Sequence, residues 1–331
     1  MARIVCFGEI LIRLSAPGRE LMLQTPRLES HVGGAEANVA VSLARFGHDA
    51  AVVSVLPNNA LAQGALGELR RWNVDTRHMM FGPGRMGLYF ITPGAGQRAT
   101  DVLYDRAYSA FAHASCDAIN WDAALKGADW LHISGVTPAV GANSADAALL
   151  AMKAARAAGV KVSYDGNFRA KLWEARGDDP RPILDALFAE ADLAFAEARD
   201  ISLITGDRVT TSEQAAQIAF GRYPNLQRIA HTERKVVSAD HHELSAISIT
   251  RTGATRTRSH AVTGIVDRIG GGDAFAAGLL HGLASGSDEQ SMLDFALAAA
   301  CLKHYIPGDF NLSTVADVNF YLSDSGSDVR R

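Results

Sequence analysis

Short apolar runs alternate with helix-length segments along this chain, and that rhythm limits the folds open to it. Ile4 to Phe7 reads as a first strand. Ala35 to Phe46 reads as a helix stopped by Gly47, with the strand Ala50 to Val55 after it. A helix from Ala145 to Ala158, stopped by Gly159, leads into the strand Val160 to Tyr164. Trp130 to Ser134, Leu193 to Ala196 and Arg228 to His231 are short and apolar, as strands buried on both faces tend to be. Strands separated by helices of this length imply βαβ units and a doubly wound, mainly parallel α/β sheet flanked by helices.

Two regions break the rhythm, Ile10 to Val32 and Gly87 to about Arg106. Both read as strands joined by turns, without a helix. Met86 to Thr92 and Thr100 to Tyr104 are candidate antiparallel strands around Pro93-Gly94-Ala95-Gly96. Segments 10–32 and 87–106 together suggest a small β-sheet inserted in the α/β body. A sheet carried on linkers over a cleft is a natural lid. A fixed edge meander fits the pattern equally well.

The chain has 331 residues, 48% apolar and 21% charged, which is ample core material for a single domain over 1–331. Residues 323–331 are polar and should fray. A net charge of −4 weighs against a nucleic-acid binder. No uncharged apolar run reaches the ~18 residues of a membrane helix. Met1 to Phe7 lacks the apolar stretch of a signal peptide, and Cys6, Cys116 and Cys301 are sparse and show no metal-ligand spacing. These features point to a cytoplasmic protein with reduced thiols.

The densest chemistry lies near the C-terminus. Asp267-Arg268-Ile269-Gly270-Gly271-Gly272-Asp273 opens a helix that should end at Gly286, and the strand-like stretch Ser259 to Val266 precedes it. Glycine admits positive φ and close backbone approach. The first amides of a helix lack internal partners and carry the positive end of its dipole, so such a turn is an anion pocket. An acid there repels phosphate. It is well placed, however, to take a proton from a hydroxyl about to attack one. Asp273 is the candidate base, and the amides of Gly270, Gly271 and Gly272 the candidate anion hole. An ordinary helix start with a favourable first-turn acid is the alternative.

Gly33 and Gly34 precede another helix, with Asn38 one turn in. Glycine amides can approach a polar ligand, and an amide side chain can bond a sugar hydroxyl. A turn capping a core helix accounts for them too. Asp165-Gly166-Asn167-Phe168-Arg169 follows a strand, where open α/β sheets face their ligand, and Arg169 can grip a carboxylate. Tyr89 and Tyr104-Asp105-Arg106 lie on the proposed small sheet and suit a polyhydroxy anion. Gly82-Pro83-Gly84-Arg85-Met86-Gly87 spells G-x-G-x-x-G but leads into a strand, so a turn fits better than a dinucleotide site. Asp240-His241-His242-Glu243 cannot converge on a metal from a strand and reads as a solvated turn. Arg251, Arg256 and Arg258 alternate as a wet face.

Together these segments resemble the ribokinase-like (PfkB) carbohydrate kinase family across nearly the whole chain. They are most similar to its 2-keto-3-deoxygluconate kinases, through Gly33 to Asn38, Tyr104-Asp105-Arg106, Asp165 to Trp173 and the tail Lys303 to Phe310. The resemblance implies transfer of phosphate from ATP, with Mg²⁺, to the 6-hydroxyl of 2-dehydro-3-deoxy-D-gluconate, in sugar-acid catabolism. It implies Asp273 as base beside Gly270, Gly271 and Gly272. Gly33, Gly34 and Asn38 would hold substrate hydroxyls. Tyr89, Tyr104, Arg106 and Arg169 would hold the rest of the substrate and its carboxylate. Asn167 and Thr232, with Gly270 and Gly272, would meet the nucleotide. Glu197 and Asp200 would hold Mg²⁺ indirectly, and Asp267 a monovalent cation such as K⁺. A homodimer through the lid edge is expected, with no nucleic-acid or membrane partner. Arg268 and Gly271 stand where the family has threonine and alanine, Glu197 stands where it has asparagine, and residues 232–239 replace a lysine- and glycine-rich adenine loop. A kinase for fructose or another neutral sugar, and a catalytically weak sugar- or nucleotide-binding relative, are the alternatives.

Overall fold

The computed structural model describes residues 1–323, so the expected frayed tail lies outside the described residues except for Ser323. Among these residues the strands are β1 (Arg3–Phe7), β2 (Leu11–Ser15), β3 (Glu29–Gly33), β4 (Asp49–Pro57), β5 (Met79–Gly82), β6 (Gly87–Thr92), β7 (Asp101–Asp105), β8 (Trp130–Ser134), β9 (Lys161–Asp165), β10 (Leu193–Phe195), β11 (Arg228–Ser238), β12 (His241–Thr250), β13 (Ala254–Arg256) and β14 (His260–Thr263). The large sheet runs β5-β4-β1-β8-β9-β10-β11-β12-β13, with β14 also on β12. From β5 to β11 every pair is parallel, and β12 returns antiparallel along β11.

Both faces of the parallel strands are covered, which is why those strands read as unbroken apolar runs. In β1, Ile4 and Cys6 face one way, onto the helices Ala35–Arg45, Gly271–Ser285 and Glu289–Lys303. Val5 and Phe7 face the other way, onto Ala142–Ala157 and Pro180–Glu190. The strand order reverses beside β1. After β4 and β5 are laid down on one side, the chain crosses to β8, β9, β10 and β11 on the other. Ligands of open α/β sheets bind at such a switch point, beyond the carboxyl ends of the strands.

The segments 10–32 and 87–106 form a separate four-stranded sheet in the order β3-β2-β6-β7. The Gly82 turn joins two strands, β5 and β6, as its context in the sequence requires.

Three expectations are corrected. Arg228 to His231 is only the start of β11. The strand outruns β10, which ends at Phe195, because β12 pairs with it along its whole length. The 240–243 stretch is not a solvated turn throughout, because His242 enters β12 buried with its ring against His304. The arginines do not share one wet face. Arg251 caps carbonyls of Tyr223 and Leu226 after β12 ends, whereas Arg256 on β13 pairs with Glu213 and Glu233. Of the helices not anticipated from the sequence, Ala60–Arg71 and Ser212–Arg222 start at Asn59 and Thr211. The side chains of these residues accept from the amides of Ala62 and Gln214, and such caps were the legible signal.

Candidate active site

A cavity of about 960 Å³ opens between the carboxyl ends of the parallel strands and the face of the small sheet that carries Leu11, Tyr89 and Tyr104. Two helices point their N-termini into it. Each starts at a glycine with positive φ, Gly34 at 136° and Gly270 at 81°, and neither has a side-chain cap. Four other long helices start at Asn59, Asp179, Thr211 or Asp288, each capping with its side chain, whereas Ala142–Ala157 starts at Gly141, also uncapped but away from the cavity. Missing caps leave amides free for a ligand. Glycine is obligatory at both places, since a Cβ on Gly34 would lie 2.3 Å from the Glu9 carbonyl oxygen and one on Gly270 2.0 Å from that of Asp309.

The two N-termini are joined by one bond. Asn38 donates through Nδ2 to Asp273 Oδ2 at 2.6 Å. The helix that carries Asn38 is itself anchored by Glu36, whose buried carboxylate accepts from the Ser134 amide at 2.9 Å and the Thr137 hydroxyl at 2.6 Å. Burial pushes the Asp273 carboxyl up to about 7, against the pull of Asn38 and Arg169. That is the range a general base needs near neutral pH. Asp165, at the end of β9, is pushed further, to about 8, by burial and then by the charge of Asp273. Asn38 Oδ1 and Glu9 Oε1 are buried and meet no protein donor, so both are acceptors available to substrate hydroxyls.

Arg169, Arg234 and Arg268 line the same cavity. Arg268 is held below its usual range by burial and then by Arg234 and Arg169. Three guanidiniums that repel one another around a polar cavity favour an anion with several charges. Two carboxylates of the cavity wall are engaged elsewhere: Glu197 pairs with Arg199, and Asp200 Oδ2 accepts from the Glu197 amide at 2.8 Å as part of a helix cap. Arg234 lies in the 232–239 stretch and Arg268 in the anion turn. Neither was expected to hold a ligand, because each was read only as a departure from a pattern.

Several other expected residues have their groups already engaged within the protein, and two of them, Gly33 and Asp267, do not line the cavity. Gly33 backs onto the Asp309 carboxylate, 2.1 Å from where a Cβ would be, so packing alone requires its smallness. The Tyr89 hydroxyl donates to Asp309, leaving its ring, beside that of Tyr104 across β6 and β7, to line the cavity. Arg106 is buried and donates to Glu9 Oε2 at 2.7 and 2.5 Å. The sequence reading left this partner out because 97 residues separate the two. Asn167 and Thr232 lie on the wall, and Asn167 takes a left-handed turn with φ 33°. Asp267 points away from the cavity. Its carboxylate accepts from Arg13 at 2.6 Å and from the Gly308 amide at 3.0 Å. Among the described residues no cluster of three or more metal-ligating side chains occurs, and no helix is long and apolar enough to cross a membrane.

The pfkB family carbohydrate kinase model matches residues 1–304.

This chain belongs to the pfkB family of carbohydrate kinases.

It is 34% identical to a 2-dehydro-3-deoxygalactonokinase of Haloferax volcanii, over 99% of both chains. The crystal structure of 2-dehydro-3-deoxygluconokinase from Thermotoga maritima superposes with a TM-score of 0.92 at 36% identity, covering 98% of this chain and 100% of the other. A more distant structure from E. coli, solved with ATP and Mg²⁺, shares the fold with a TM-score of 0.83 at 19% identity over 98% and 99% of the two chains. The protein is a phosphotransferase acting on an alcohol group, and kinases of this family use ATP. Its fold is the ribokinase-like one, with a mainly parallel sheet between helices and a separate small sheet.

Proposed function

We propose that the protein phosphorylates the 6-hydroxyl of 2-dehydro-3-deoxy-D-gluconate at the expense of ATP. The observation that carries this is the carboxylate of Asp273, held by Asn38 in the first turn of an uncapped helix and facing unpaired arginines. Asp273 takes the proton of the sugar hydroxyl as the alcohol oxygen bonds to the γ-phosphorus. The bond from that phosphorus to the bridging oxygen breaks, and ADP leaves. The amides of Gly270, Gly271 and Gly272 meet the phosphoryl oxygens and act as fixed dipoles, so little reorganisation is needed. Arg234 and Arg268 hold the phosphate chain, with Asn167 and Thr232 beside the nucleotide.

Glu197 and Asp200 fit an indirect role with Mg²⁺. They border the cavity, and this ion keeps most of its waters and needs few protein ligands. Bound to the phosphates, it neutralises their charge.

Asn38 Oδ1 and Glu9 Oε1 accept sugar hydroxyls, and Gly34 allows the backbone to come close. Arg169, which has no ion pair among the described residues, takes the substrate carboxylate. Arg106 positions Glu9 rather than binding the acid itself, since its charge is already matched. That pairing favours one rival reading, a kinase for fructose or another neutral sugar, because only one arginine is left to select an acid. A substrate panel with coupled ADP detection separates the two. Faster turnover on fructose than on the keto-acid, or on the C4 epimer than on the gluconate form, would replace the substrate proposed.

The small sheet closes over the substrate as a lid and excludes water. The loop between β2 and β3 exposes Leu21 and Leu23 and β7 exposes Leu103, the last two at 73% and 63%, which fits a homodimer through the lid. Light scattering of the protein and of Leu103→Glu tests this, the substitution giving a monomer. The free thiols of Cys6 and Cys301, both buried, suit a reducing cytoplasm.

A further inference from the structure

Behind the anion turn lies a buried charge that the chemistry above does not use. Lys303, the last residue of the helix Glu289–Lys303, is 0% exposed. A lysine is almost never so deeply buried unless something holds its charge. Its Nζ donates to the main-chain oxygen of Ile306 at 2.9 Å and reaches that of Asp267 at 3.5 Å. A Cβ on Gly270 would lie 3.3 Å from Lys303 Cε, so the stem of the lysine packs directly beneath the first glycine of the turn. The helix reaches this place because it packs closely on Gly271–Ser285. Gly278 there meets Ala296, with only 2.6 Å between the position of a Cβ and Ala296 Cα.

Two loops therefore turn carbonyl oxygens toward one point, and one of them runs straight into the anion hole. Oxygens so arranged suit a bare monovalent cation, the species that resemblance places near Asp267. The surrounding groups leave no need for one. Arg13 bridges the carboxylates of Asp267 and Asp309 at 2.6 and 3.1 Å, and Tyr89 donates to Asp309. Arg13 and Lys303 face Asp267 and Asp309, two formal charges of each sign. A further cation would have to displace the ammonium from both oxygens and unbalance the cluster.

We infer that the Lys303 ammonium is the resident cation of this kinase, clamping the carbonyls of Asp267 and Ile306 so that the Gly270–Gly272 amides stay aimed, in the place a potassium ion would take. The inference rests on the phosphoryl-transfer reading of Asp273 and the glycine turn. Lys303 is a positioning residue, because it reaches neither substrate nor phosphate except through that backbone. The consequence is a kinase that does not depend on potassium.

The first test uses the unaltered protein. Turnover is followed by ADP release in a buffer whose only monovalent cation is tetramethylammonium, and potassium is then added at constant ionic strength. The expected trace is flat. A severalfold rise with potassium would overturn the inference while leaving the kinase reading intact. The second test is Lys303→Ala, checked for folding by its melting curve. Its kcat should fall roughly 10- to 100-fold, the usual cost of losing an outer-shell partner, and recover in part as potassium or ammonium enters the vacated space. A folded variant with unchanged kcat, or with a deficit that neither ion restores, would also overturn it. Calorimetric binding of ADP to both proteins reads the same point without turnover. Potassium should leave the affinity of the unaltered protein unchanged and restore that of Lys303→Ala. A protein that turns over no sugar or sugar acid defeats the phosphoryl-transfer reading instead, and the ADP titration then decides the role of Lys303.

Discussion

Asn38 Nδ2 and Asp273 Oδ2 are 2.6 Å apart although 235 residues separate them in the chain. The bond ties the first turns of two helices whose amides face one cavity, so the orientation of the carboxylate is set by the other helix that borders the cavity. A base that is positioned before substrate arrives loses little entropy on the way to the transition state.

Asp273→Asn keeps the size and the neighbours of the side chain and removes its basicity. Turnover should fall by about 10²- to 10⁴-fold, while the melting temperature and the calorimetric affinity for the sugar acid change little. Equal activity in the two proteins would remove Asp273 from the mechanism.

The pH dependence follows from the raised carboxyl of Asp273. A base must be ionised, so kcat/KM with Mg²⁺ and ATP saturating should decline as pH falls through about 7. The Asn38 donor favours the ionised form. Asn38→Ala should therefore move the acid limb of the profile to higher pH, as well as lowering kcat. An unmoved limb would mean that another group controls the profile.

Asp165 supplies a stability test with the opposite look. Its folded-state pKa of about 8 exceeds the ordinary 3.8, so the native state binds the proton more tightly than the unfolded chain. Stability from this residue then falls as pH rises between those values. Asp165→Asn should melt higher than the unaltered protein at pH 8 and show a shallower decline from pH 5 to 8. Parallel curves would assign the raised value to some other group.

Arg106 and Glu9 form a buried pair, exposed to 6% and 3%. Removing one partner leaves an uncompensated charge, which costs on the order of 3–5 kcal/mol. Arg106→Leu should lower the melting temperature clearly, and Glu9→Gln added to it should restore much of the loss. If Arg106→Leu instead left stability intact and raised only the KM for the sugar acid, Arg106 would be a direct substrate ligand.

The proposed function divides the arginines of the cavity by ligand. Arg169→Ala should raise the KM for the keto-acid and leave that for ATP nearly unchanged. Arg234→Ala and Arg268→Ala should do the reverse. Losing one charge-assisted contact costs about 1.5–3 kcal/mol, or roughly ten- to a hundredfold in the affected constant. Equal effects on both substrates would place the three side chains on a shared anion.

The sequence by itself determined the layout. Apolar runs of strand length between helices required a parallel sheet covered on both faces, because only such strands tolerate apolar residues on both sides, as β1 and β8 do. The glycines at 270–272 and the acid after them marked a glycine turn opening a helix with an acid in its first turn, since local backbone geometry is written in local residues. What distant parts of the chain do to one another was settled only by the tertiary structure. It took the Tyr89 hydroxyl and the face of Gly33 for Asp309, gave Arg106 to Glu9, folded Glu197 and Asp200 into a helix cap, and turned Asp267 toward Arg13. It also brought Lys303 beneath Gly270, a contact that the tail Lys303 to Phe310, taken in order, does not reveal. A charged side chain takes its partner from whatever the fold sets within a few ångströms. That is a property of packing between segments, and no spacing along the chain records it.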